Sequence, residues 1–404
     1  MLPNGWKLGD FGSIGKWTGG GTPSKANDSF WMGGTIPWVS PKDMTSGKIC
    51  DTEDYITPEA IKNSATRLYP SGSVMIVTRS GILRKKLPVA IAESPVTVNQ
   101  DLKVLPYDKQ FSPEYVYNYI LCFNSEILNV CAKDGTTVES IDTNSFLNFP
   151  VKLPPLPEQK KIAAILSTWD RAIEGMEKLL ANSQQQKKAL MQQLLTGKKR
   201  LPGFSGEWKN YTLENILNVR KEKSLPSNKI PLFSLTIDGG ITSKTDRYNR
   251  EFLVKNKNEK KYKVVYPRDL VYNPANLRWG AINYSRIPHK VVVSPIYEVL
   301  YVNNIERFFP DLIYQYLMSP FQIEKFSSMI EGTLMERKAV KISPFLATKI
   351  RIPCDFSEQQ AIAAVLSTAD EEITTLESDL ARLRQEKKAL MQQLLTGKRR
   401  VKVD

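Results

Sequence analysis

One twelve-residue segment, KKALMQQLLTGK, occurs twice in this chain, at positions 187–198 and again at 387–398. Around it, residues 157–200 and 357–400 are identical at 27 of 44 positions, with no gap between the two copies. The copies lie half a chain apart in a protein of 404 residues. This spacing indicates the duplication of a large unit, because a solenoid would repeat over a much shorter distance.

Both copies carry the signals of one long helix. Pro157 fits the first helical position, and Ser357 with Gln360 fits a capping box. Gly197 and Gly397 follow the last apolar residues, where a glycine in the left-handed conformation commonly ends a helix. About 38 residues at ~1.5 Å each predict a rod of roughly 57 Å.

Apolar residues recur at heptad-like spacing along both copies, which predicts an apolar seam on each helix. The seam residues are Ile162, Leu166, Trp169, Ile173, Met176, Leu180, Leu190, Leu194, Ile362, Leu366, Ile373, Leu376, Leu380, Leu383, Leu390 and Leu394. The economical partner for each helix is the other copy. A pseudo-twofold axis would make the pair antiparallel, with one globular domain at each end. The alternative, in which each helix packs only on its own domain, stays open here.

The repeat divides the chain into a globular domain at 1–156, a shared helix at 157–200, a second globular domain at 201–356 and a second shared helix at 357–404. In both globular domains, short β-rich runs alternate with Gly, Pro and Asn turns, and a helical pattern follows at 113–122 and 310–318. The expected fold class is α/β (mixed α+β), with two such domains separated by a long antiparallel two-helix coiled coil. Shared helices suggest a common task, and divergent domains suggest two different ligands.

The chain is strongly basic: 56 Lys and Arg against 42 Asp and Glu give a formal net charge of +14. Such an excess favours a polyanionic partner, most simply nucleic acid, although a basic protein without such a partner is the alternative. No run of eighteen apolar residues exists and no signal-peptide pattern opens the sequence, so we expect no membrane span and a cytoplasmic location. The four cysteines include no C-x-x-C pair and are expected to be reduced thiols.

Catalytic signatures are missing from the sequence. His289 is the single histidine, which excludes histidine-rich zinc sites and a Ser/His/Asp set in each half. No ATP-binding P-loop motif exists. The segment Asn-Pro-Ala-Asn at 273–276 lacks the second proline and the aromatic residue of the adenine methyltransferase motif. The chain is therefore predicted to read a ligand without catalysing a reaction, and we expect neither catalytic residues nor a metal site.

Two polar loops are the best candidates for DNA contact, because each follows an apolar run that is predicted to be a strand. Phosphates are bound by Lys, Arg and small polar residues, and base edges are read by Arg, Asn, Gln and Thr. The candidates in the first domain are Thr78, Arg79, Ser80, Arg84, Lys85 and Lys86, with Lys25 and Lys42 as weaker ones. Those in the second domain are Asn273, Asn276, Arg278 and Trp279, with Arg337 and Lys338 as weaker ones. Ordinary solvated turns are the alternative.

With these residues in view, the chain resembles the specificity subunit of Type I restriction-modification systems. The resemblance is carried by Gly-Gly-Thr-Pro-Ser at 20–24, Ile-Pro-Trp at 36–38, Pro-Leu-Pro-Glu-Gln at 155–159 and Leu-Met-Gln-Gln-Leu-Leu-Thr-Gly-Lys in both repeats. It covers essentially the whole chain. In the second repeat, Pro-Cys-Asp-Phe-Ser-Glu-Gln at 353–359 replaces the proline-rich segment.

The resemblance implies two target-recognition domains, each of which reads one half of a split, asymmetric site in double-stranded DNA. The helices would set the spacing between the half-sites and dock two modification subunits, which would bind S-adenosylmethionine and methylate adenine at N6. Restriction (translocase) subunits would add ATP- and Mg-dependent translocation and cleavage. This chain itself would carry no cofactor. An alternative of a different class is a coiled-coil scaffold that joins two protein-binding domains and reads no DNA sequence.

Overall fold

The computed structural model describes residues 2–133, 138–237, 239–243, 261–329 and 339–403. The chain forms two compact units: the first unit comprises Met1–Glu177 and Asp379–Asp404, and the second unit comprises Lys178–Ser378. Two long helices, α6 (Leu156–Leu194) and α10 (Phe356–Leu395), cross the boundaries between them. Each unit therefore contains part of both helices, whereas the boundaries expected from the sequence keep each helix whole.

The first unit is built on a five-stranded sheet of order β2-β9-β6-β7-β4 and a three-stranded sheet of order β5-β3-β8. Its strands are β1 (Lys7–Asp10), β2 (Thr18–Gly19), β3 (Ile36–Val39), β4 (Lys48–Ile49), β5 (Asp54–Ile56), β6 (Val74–Val77), β7 (Val89–Ala92), β8 (Thr97–Val98), β9 (Leu102–Leu105) and β10 (Pro150–Leu153). Its short helices are α1 (Phe11–Ile14), α2 (Pro58–Lys62), α3 (Pro113–Cys122), α4 (Asn124–Cys131) and α5 (Thr143–Leu147). The central strands β6 and β7 are buried at every position, as expected for runs without a polar side chain.

The second unit repeats this plan with smaller sheets, of orders β12-β20-β17-β18, β13-β16-β19 and β14-β15. Its strands are β11 (Trp208–Thr212), β12 (Leu217–Val219), β13 (Lys223–Ser224), β14 (Phe233–Thr236), β15 (Gly240–Ser243), β16 (Tyr262–Val265), β17 (Leu270–Tyr272), β18 (Ile282–Tyr284), β19 (Val291–Val293), β20 (Glu298–Val302) and β21 (Lys349–Pro353). Its short helices are α7 (Pro310–Leu317), α8 (Pro320–Ser328) and α9 (Ile342–Leu346). The predicted mixed α/β class is confirmed.

Each unit is closed by one antiparallel strand pair that leads directly into a long helix. In the first unit β1 pairs with β10, from Lys7 opposite Leu153 to Asp10 opposite Pro150. In the second unit β11 pairs with β21, starting with Trp208 opposite Pro353. Because the first strand of each unit pairs with its last strand, the helix that follows begins at a fixed point of the domain.

The helix ends pack antiparallel inside each unit, which confirms the predicted pairing. In the first unit, Glu158 near the start of α6 binds Arg400 beyond the end of α10. Twelve residues after Glu158 in α6, Asp170 binds Lys387 of α10. In the second unit the same contacts recur with the roles of the two helices exchanged. Arg200, beyond the end of α6, binds Glu358 near the start of α10, and Lys187 of α6 binds Asp370 of α10.

The predicted seam is buried at the helix ends and half-buried along the middle. Ile162, Leu166 and Leu394 lie in the core of the first unit, and Leu194, Ile362 and Leu366 lie in the core of the second. Leu380 is also buried. The half-buried seam residues are Trp169, Ile173, Met176, Leu180, Leu190, Ile373, Leu376, Leu383 and Leu390. At its ends, therefore, each helix packs on domain cores as well as beside the other helix.

The second long helix begins two residues earlier than the capping box at Ser357 predicts, because a Ser357 N-cap would put the first helical residue at 358. It starts at Phe356, and Oδ1 of Asp355 accepts a hydrogen bond of 2.8 Å from the backbone N–H of Ser357. The aspartate thus satisfies a free N–H of the first turn, which is what an N-cap side chain does. In the described parts of the chain, no helix is long and apolar enough to cross a membrane.

Candidate nucleic-acid interface

The candidate loop of the first unit is the tip of a hairpin. Strands β6 and β7 pair antiparallel, and the chain between them makes a 3-10 turn at Gly81–Arg84. We call residues 74–92 the first hairpin. Its tip is exposed at Arg79 and again at Arg84, Lys85 and Lys86, so four of the predicted cationic side chains share one loop.

Two predicted residues of the first hairpin support the loop from inside. Thr78 is buried, and its backbone N–H and its hydroxyl both donate to the carbonyl of Asp101, at 2.7 and 2.9 Å. The hydroxyl of Ser80 accepts a 3.5 Å hydrogen bond from the N–H of Ile82 at the start of the turn. This geometry favours a loop-stabilising role for both side chains over contact with a ligand.

The two arginines of the first hairpin are held by carboxylates. Nε of Arg79 lies 2.7 Å from Oδ1 of Asp101, and Arg84 binds Glu139. Hydrogen bonding to Arg84 lowers the pKa of Glu139, so this carboxylate is charged at neutral pH. Beside the pair lies a cleft of ≈ 590 Å³ whose lining includes Arg84, Lys85 and Lys133. Each carboxylate accepts from the Nε of its arginine, which restrains the position of the guanidinium.

The second unit has an equivalent hairpin. Strands β17 and β18 pair antiparallel, from Leu270 opposite Tyr284 to Tyr272 opposite Ile282, and a 3-10 turn at Leu277–Trp279 joins them. We call residues 270–284 the second hairpin. Both turns contain a buried leucine that is followed by an arginine: Leu83 and Arg84 in the first, Leu277 and Arg278 in the second.

The asparagines of the second hairpin shape its turn. Asn273 is buried, and its Oδ1 accepts a 3.1 Å hydrogen bond from the N–H of Ala275. The carbonyl of Asn276 accepts hydrogen bonds from the N–H groups of Trp279 and Ala281, at 3.0 and 3.2 Å. Gly280 ends the turn with φ 87°, a conformation that a residue with a Cβ rarely adopts. The Asn273 side chain and the Asn276 backbone carbonyl therefore hold the turn that carries Arg278 and Trp279.

Arg278 and Trp279 form a stacked pair at the tip of the second hairpin. The Cζ atom of Arg278 lies 3.9 Å from the centroid of the Trp279 ring. The indole is 55% exposed, whereas the Nε of Arg278 is buried and has no hydrogen-bond partner in the described structure. At this position of the first hairpin the exposed residue after the arginine is Lys85.

The weaker candidates lie elsewhere. Lys25 is exposed on the segment between β2 and β3. Lys42 binds Glu53 and also Asp54, and these hydrogen bonds raise its pKa, so its charge is already balanced within the chain. Arg337 and Lys338 lie outside the described residues. His289 is exposed, and no set of three His, Cys, Asp or Glu side chains in the described ranges could hold a metal ion.

Sequence reasoning missed a buried carboxylate in each unit. Glu158 accepts hydrogen bonds from Nε1 of Trp6 at 3.0 Å and from Nε and Nη2 of Arg400 at 2.7 and 2.8 Å. Glu358 accepts from Arg200 at 2.5 and 2.6 Å and from Trp208 at 3.4 Å. We call these two groups the Trp-Glu-Arg clamps. The glutamates and arginines are identical in both repeats, which is the signal that could have identified them.

The neighbouring glutamines are also structural. Gln159 accepts a hydrogen bond from the N–H of Ser112 and donates to the carbonyl of Pro154, both at 3.0 Å. Gln359 accepts from the N–H of Phe309 at 2.8 Å and donates to the carbonyl of Pro353 at 2.9 Å. The Glu-Gln pair of each repeat therefore fastens its helix to a globular domain. The arginine in the basic tail after each KKALMQQLLTGK segment binds the glutamate of the other repeat's pair.

Comparison with known proteins adds to this geometry. Residues 3–182 match the family described as Type I restriction modification DNA specificity domain. A specificity subunit of a Type I restriction enzyme from Escherichia coli is 44% identical over 165 residues, which are 41% of this chain and 40% of that protein. One from Methanocaldococcus jannaschii is 33% identical over 184 residues, 44% of this chain and 40% of that protein. The matched segments thus span about two fifths of these relatives.

Two solved structures share the fold over nearly the whole chain. The S subunit of a Type I restriction-modification system from M. genitalium is 14% identical, with a TM-score of 0.59 and 98% of both chains covered. A chain from a structure that describes complex assembly and conformational transition of the type I R-M system is 18% identical, with a TM-score of 0.60 and 98% and 99% covered. At these identities the similarity is one of fold.

Proposed function

We propose that this chain is a specificity subunit of the Type I restriction-modification family, and that it is the sequence-specific DNA-binding subunit of such a complex. Each unit reads one half of a bipartite, asymmetric site in double-stranded DNA. The observation that carries the proposal is the pair of hairpins: the same strand-turn-strand element, built on equivalent sheets, bears different exposed side chains in the two units.

The reaction and its cofactors belong to the partners in this proposal. Two modification subunits dock on the shared helices, bind S-adenosylmethionine and methylate adenine at N6. Restriction subunits supply the ATP- and Mg-dependent translocase and endonuclease. The complex acts in the cytoplasm, where chromosomal DNA is present. The exposed faces of both repeats support the docking role, since Lys188, Gln192 and Gln193 are exposed in one copy and the identical residues are exposed in the other.

The names of the relatives favour DNA reading over the scaffold alternative, because they are specificity subunits of restriction enzymes. The net charge of +14 supports the same choice, because Lys and Arg neutralise phosphates and release their counterions. A scaffold that joins two protein-binding domains needs no such charge.

Duplex binding tests the proposal directly. Methylation-aware sequencing of host DNA would give the bipartite site, and fluorescence anisotropy with that duplex would give the affinity of the chain assembled with its modification subunits. We expect specific binding that weakens steeply as the salt concentration rises. Absence of specific duplex binding by the assembled complex would refute the proposal.

A paired substitution tests whether the DNA interface of the first unit lies on the first hairpin. Replacing both Lys85 and Lys86 by Gln removes up to two phosphate contacts, so the slope of log affinity against log salt should fall by roughly 1.8. The control replaces Lys62 and Lys109, two exposed lysines of the same unit that lie outside the first hairpin. Equal losses in the two double variants would show that the effect is general charge and not the hairpin.

A further inference from the structure

The two hairpins differ in how their arginines are bound before any ligand arrives. In the first unit Arg79 and Arg84 are each paired with a carboxylate. In the second unit Arg278 is paired with none in the described structure and lies on an indole ring instead. Within the described residues, a ligand that approaches Arg278 therefore has no ion pair to break, whereas Arg79 and Arg84 each already give their Nε–H to a carboxylate.

The buried Nε of Arg278 strengthens this difference. A buried donor without an acceptor destabilises a folded protein, because its hydrogen bond to water is lost and not replaced. An external acceptor that reaches Nε would satisfy this donor, so that binding gains a hydrogen bond without losing one. The free state thus leaves Arg278 ready to donate.

The base of the turn holds the pair in place. Leu277 is fully buried in the core of the second unit, and helix α8 packs against the turn. The Asn276 carbonyl and the left-handed Gly280 fix the backbone on either side of Arg278 and Trp279. Recognition requires such a rigid support, since a side chain that is displaced by about 1 Å loses its hydrogen-bond geometry.

The exposed indole indicates which part of DNA this tip meets. Trp279 presents a large apolar surface, which gains nothing against the hydrated phosphate backbone. A groove offers apolar surface in the thymine methyl group and the sugars. A planar guanidinium that lies flat on a ring directs its edge N–H groups outward, and two parallel N–H donors match the O6 and N7 acceptors of guanine.

We propose that Arg278 is the specificity-determining residue of the second unit, and that it donates two hydrogen bonds to the major-groove edge of one guanine. Trp279 is a positioning residue, which holds the guanidinium in plane and packs against the adjacent nucleotide. This inference rests on the proposed function, and it adds a chemical commitment: the half-site read by the second unit contains a guanine that Arg278 recognises.

The test combines protein and DNA changes in the assembled complex. Each guanine of the two half-sites is replaced in turn by 7-deazaguanine, which lacks the N7 acceptor, and the affinity is measured for the wild type and for Arg278→Gln. The wild type should lose about 10- to 100-fold at one guanine of one half-site. Arg278→Gln should bind the normal duplex about as weakly and show no further loss at that guanine.

Two other variants separate the roles of the pair. Trp279→Ala should weaken the discrimination at the same guanine, and Trp279→Phe should restore most of it, because the ring still supports the guanidinium. The matched control is Arg286→Gln, which removes an exposed arginine of the same unit whose Cζ lies 5.0 Å from the centroid of the Tyr284 ring. This control should keep full discrimination at that guanine.

Three results would overturn the inference. A loss in Arg278→Gln that is equal for all duplexes, with a smaller salt slope, would show a phosphate contact. An unchanged affinity would show that Arg278 does not touch DNA, and sensitivity to 7-deazaguanine that persists in Arg278→Gln would assign the guanine to another residue. Failure of the proposed function is a separate outcome, because the wild-type complex would then bind no specific duplex.

Discussion

At the scale of single residues, the buried glutamates that are identical in both halves hold each unit together. Glu158 and Glu358 are almost completely buried, and each is bound by a tryptophan and an arginine. A buried carboxylate without its partners is strongly unfavourable, so all three members of a Trp-Glu-Arg clamp depend on one another. The identity of these residues across a duplicated chain follows from this shared structural role.

The clamp makes a prediction about the basic tail. Arg400→Gln leaves the buried Glu158 carboxylate without its cation, so we expect a clear fall in the melting temperature. The double variant with Glu158→Gln removes that charge and should recover part of the loss. Calorimetry of the full chain measures both.

The neighbouring residue supplies the control for this prediction. Arg399→Gln makes the same change of charge at an exposed position, and it should leave the melting temperature close to that of the wild type. If Arg399→Gln and Arg400→Gln lowered it equally, the clamp would have no special role.

The sequence predicts which loops carry the candidate side chains, but not whether each side chain is exposed, buried or bound to a carboxylate. Arg79 lies 22 residues from Asp101 and Arg84 lies 55 residues from Glu139, so no local pattern links them. Thr78 and Asn273 were predicted as contact residues because they follow strands, yet both are turned inward by hydrogen bonds to the backbone. Burial of one face of a loop is a tertiary property, which strand periodicity does not determine.

At the scale of elements, the long helices are the part that the sequence predicts best. Their period and their stop signals are local, and the helices span Leu156–Leu194 and Phe356–Leu395, close to the expected extents. The packing of their ends was harder to predict. Met191, Leu195, Met391 and Leu395 are buried in the cores although the heptad rows omit them.

Two glycines of these helices should respond to the same substitution in opposite directions. Gly175 is in the helix interior and a Cβ there would meet nothing within 4 Å, so Gly175→Ala should stabilise the fold by about 0.5–1 kcal/mol. Gly397 has φ 75°, and a Cβ there would lie 2.6 Å from Cγ of Pro3. Gly397→Ala should therefore destabilise the fold by more than about 1 kcal/mol.

Chemical denaturation of the two variants beside the wild type measures both changes. Each variant is the control for the other, because both substitutions add the same methyl group. Equal shifts would mean that neither the left-handed backbone nor the contact with Pro3 matters to stability.

At the scale of the whole molecule, each compact unit is assembled from distant parts of the chain. The first unit needs residues 379–404 as well as the N-terminal segment, and the second takes the later part of α6 with the earlier part of α10. The sequence repeat predicts the duplication, but the partition follows from which cores the helix ends enter. That information lies in long-range packing, which the repeat alone does not specify.

The proposed spacer role predicts the effect of lengthening both helices. Seven residues inserted after Glu177 and seven after Ser378 add about 10.5 Å of helix, on the order of three base pairs at 3.4 Å each. The unread gap should lengthen by no more than that, with both half-sites unchanged, as read by methylation-aware sequencing. A change in either half-site sequence would contradict a spacer role.

The control for this double insertion is a seven-residue insertion in α6 alone. Asp170 of α6 binds Lys387 in the first unit and Lys187 of α6 binds Asp370 in the second. A single insertion shifts one of these contacts against the other, so methylation and stability should both fall. If the single insertion lengthened the unread DNA gap without loss of methylation or stability, the register of the two long helices would not be fixed at both ends.

Because the first unit combines residues 1–177 with residues 379–404, its folding during synthesis is completed late. Met391, Leu394 and Leu395 belong to its core, and Arg400 closes its clamp four residues before the chain ends. Ribosomes add about 5–20 residues per second, so the N-terminal domain waits roughly 10 to 45 s for these residues after Glu177 is made. The domain that is translated first is therefore completed last, and a prematurely terminated message leaves it with an open core.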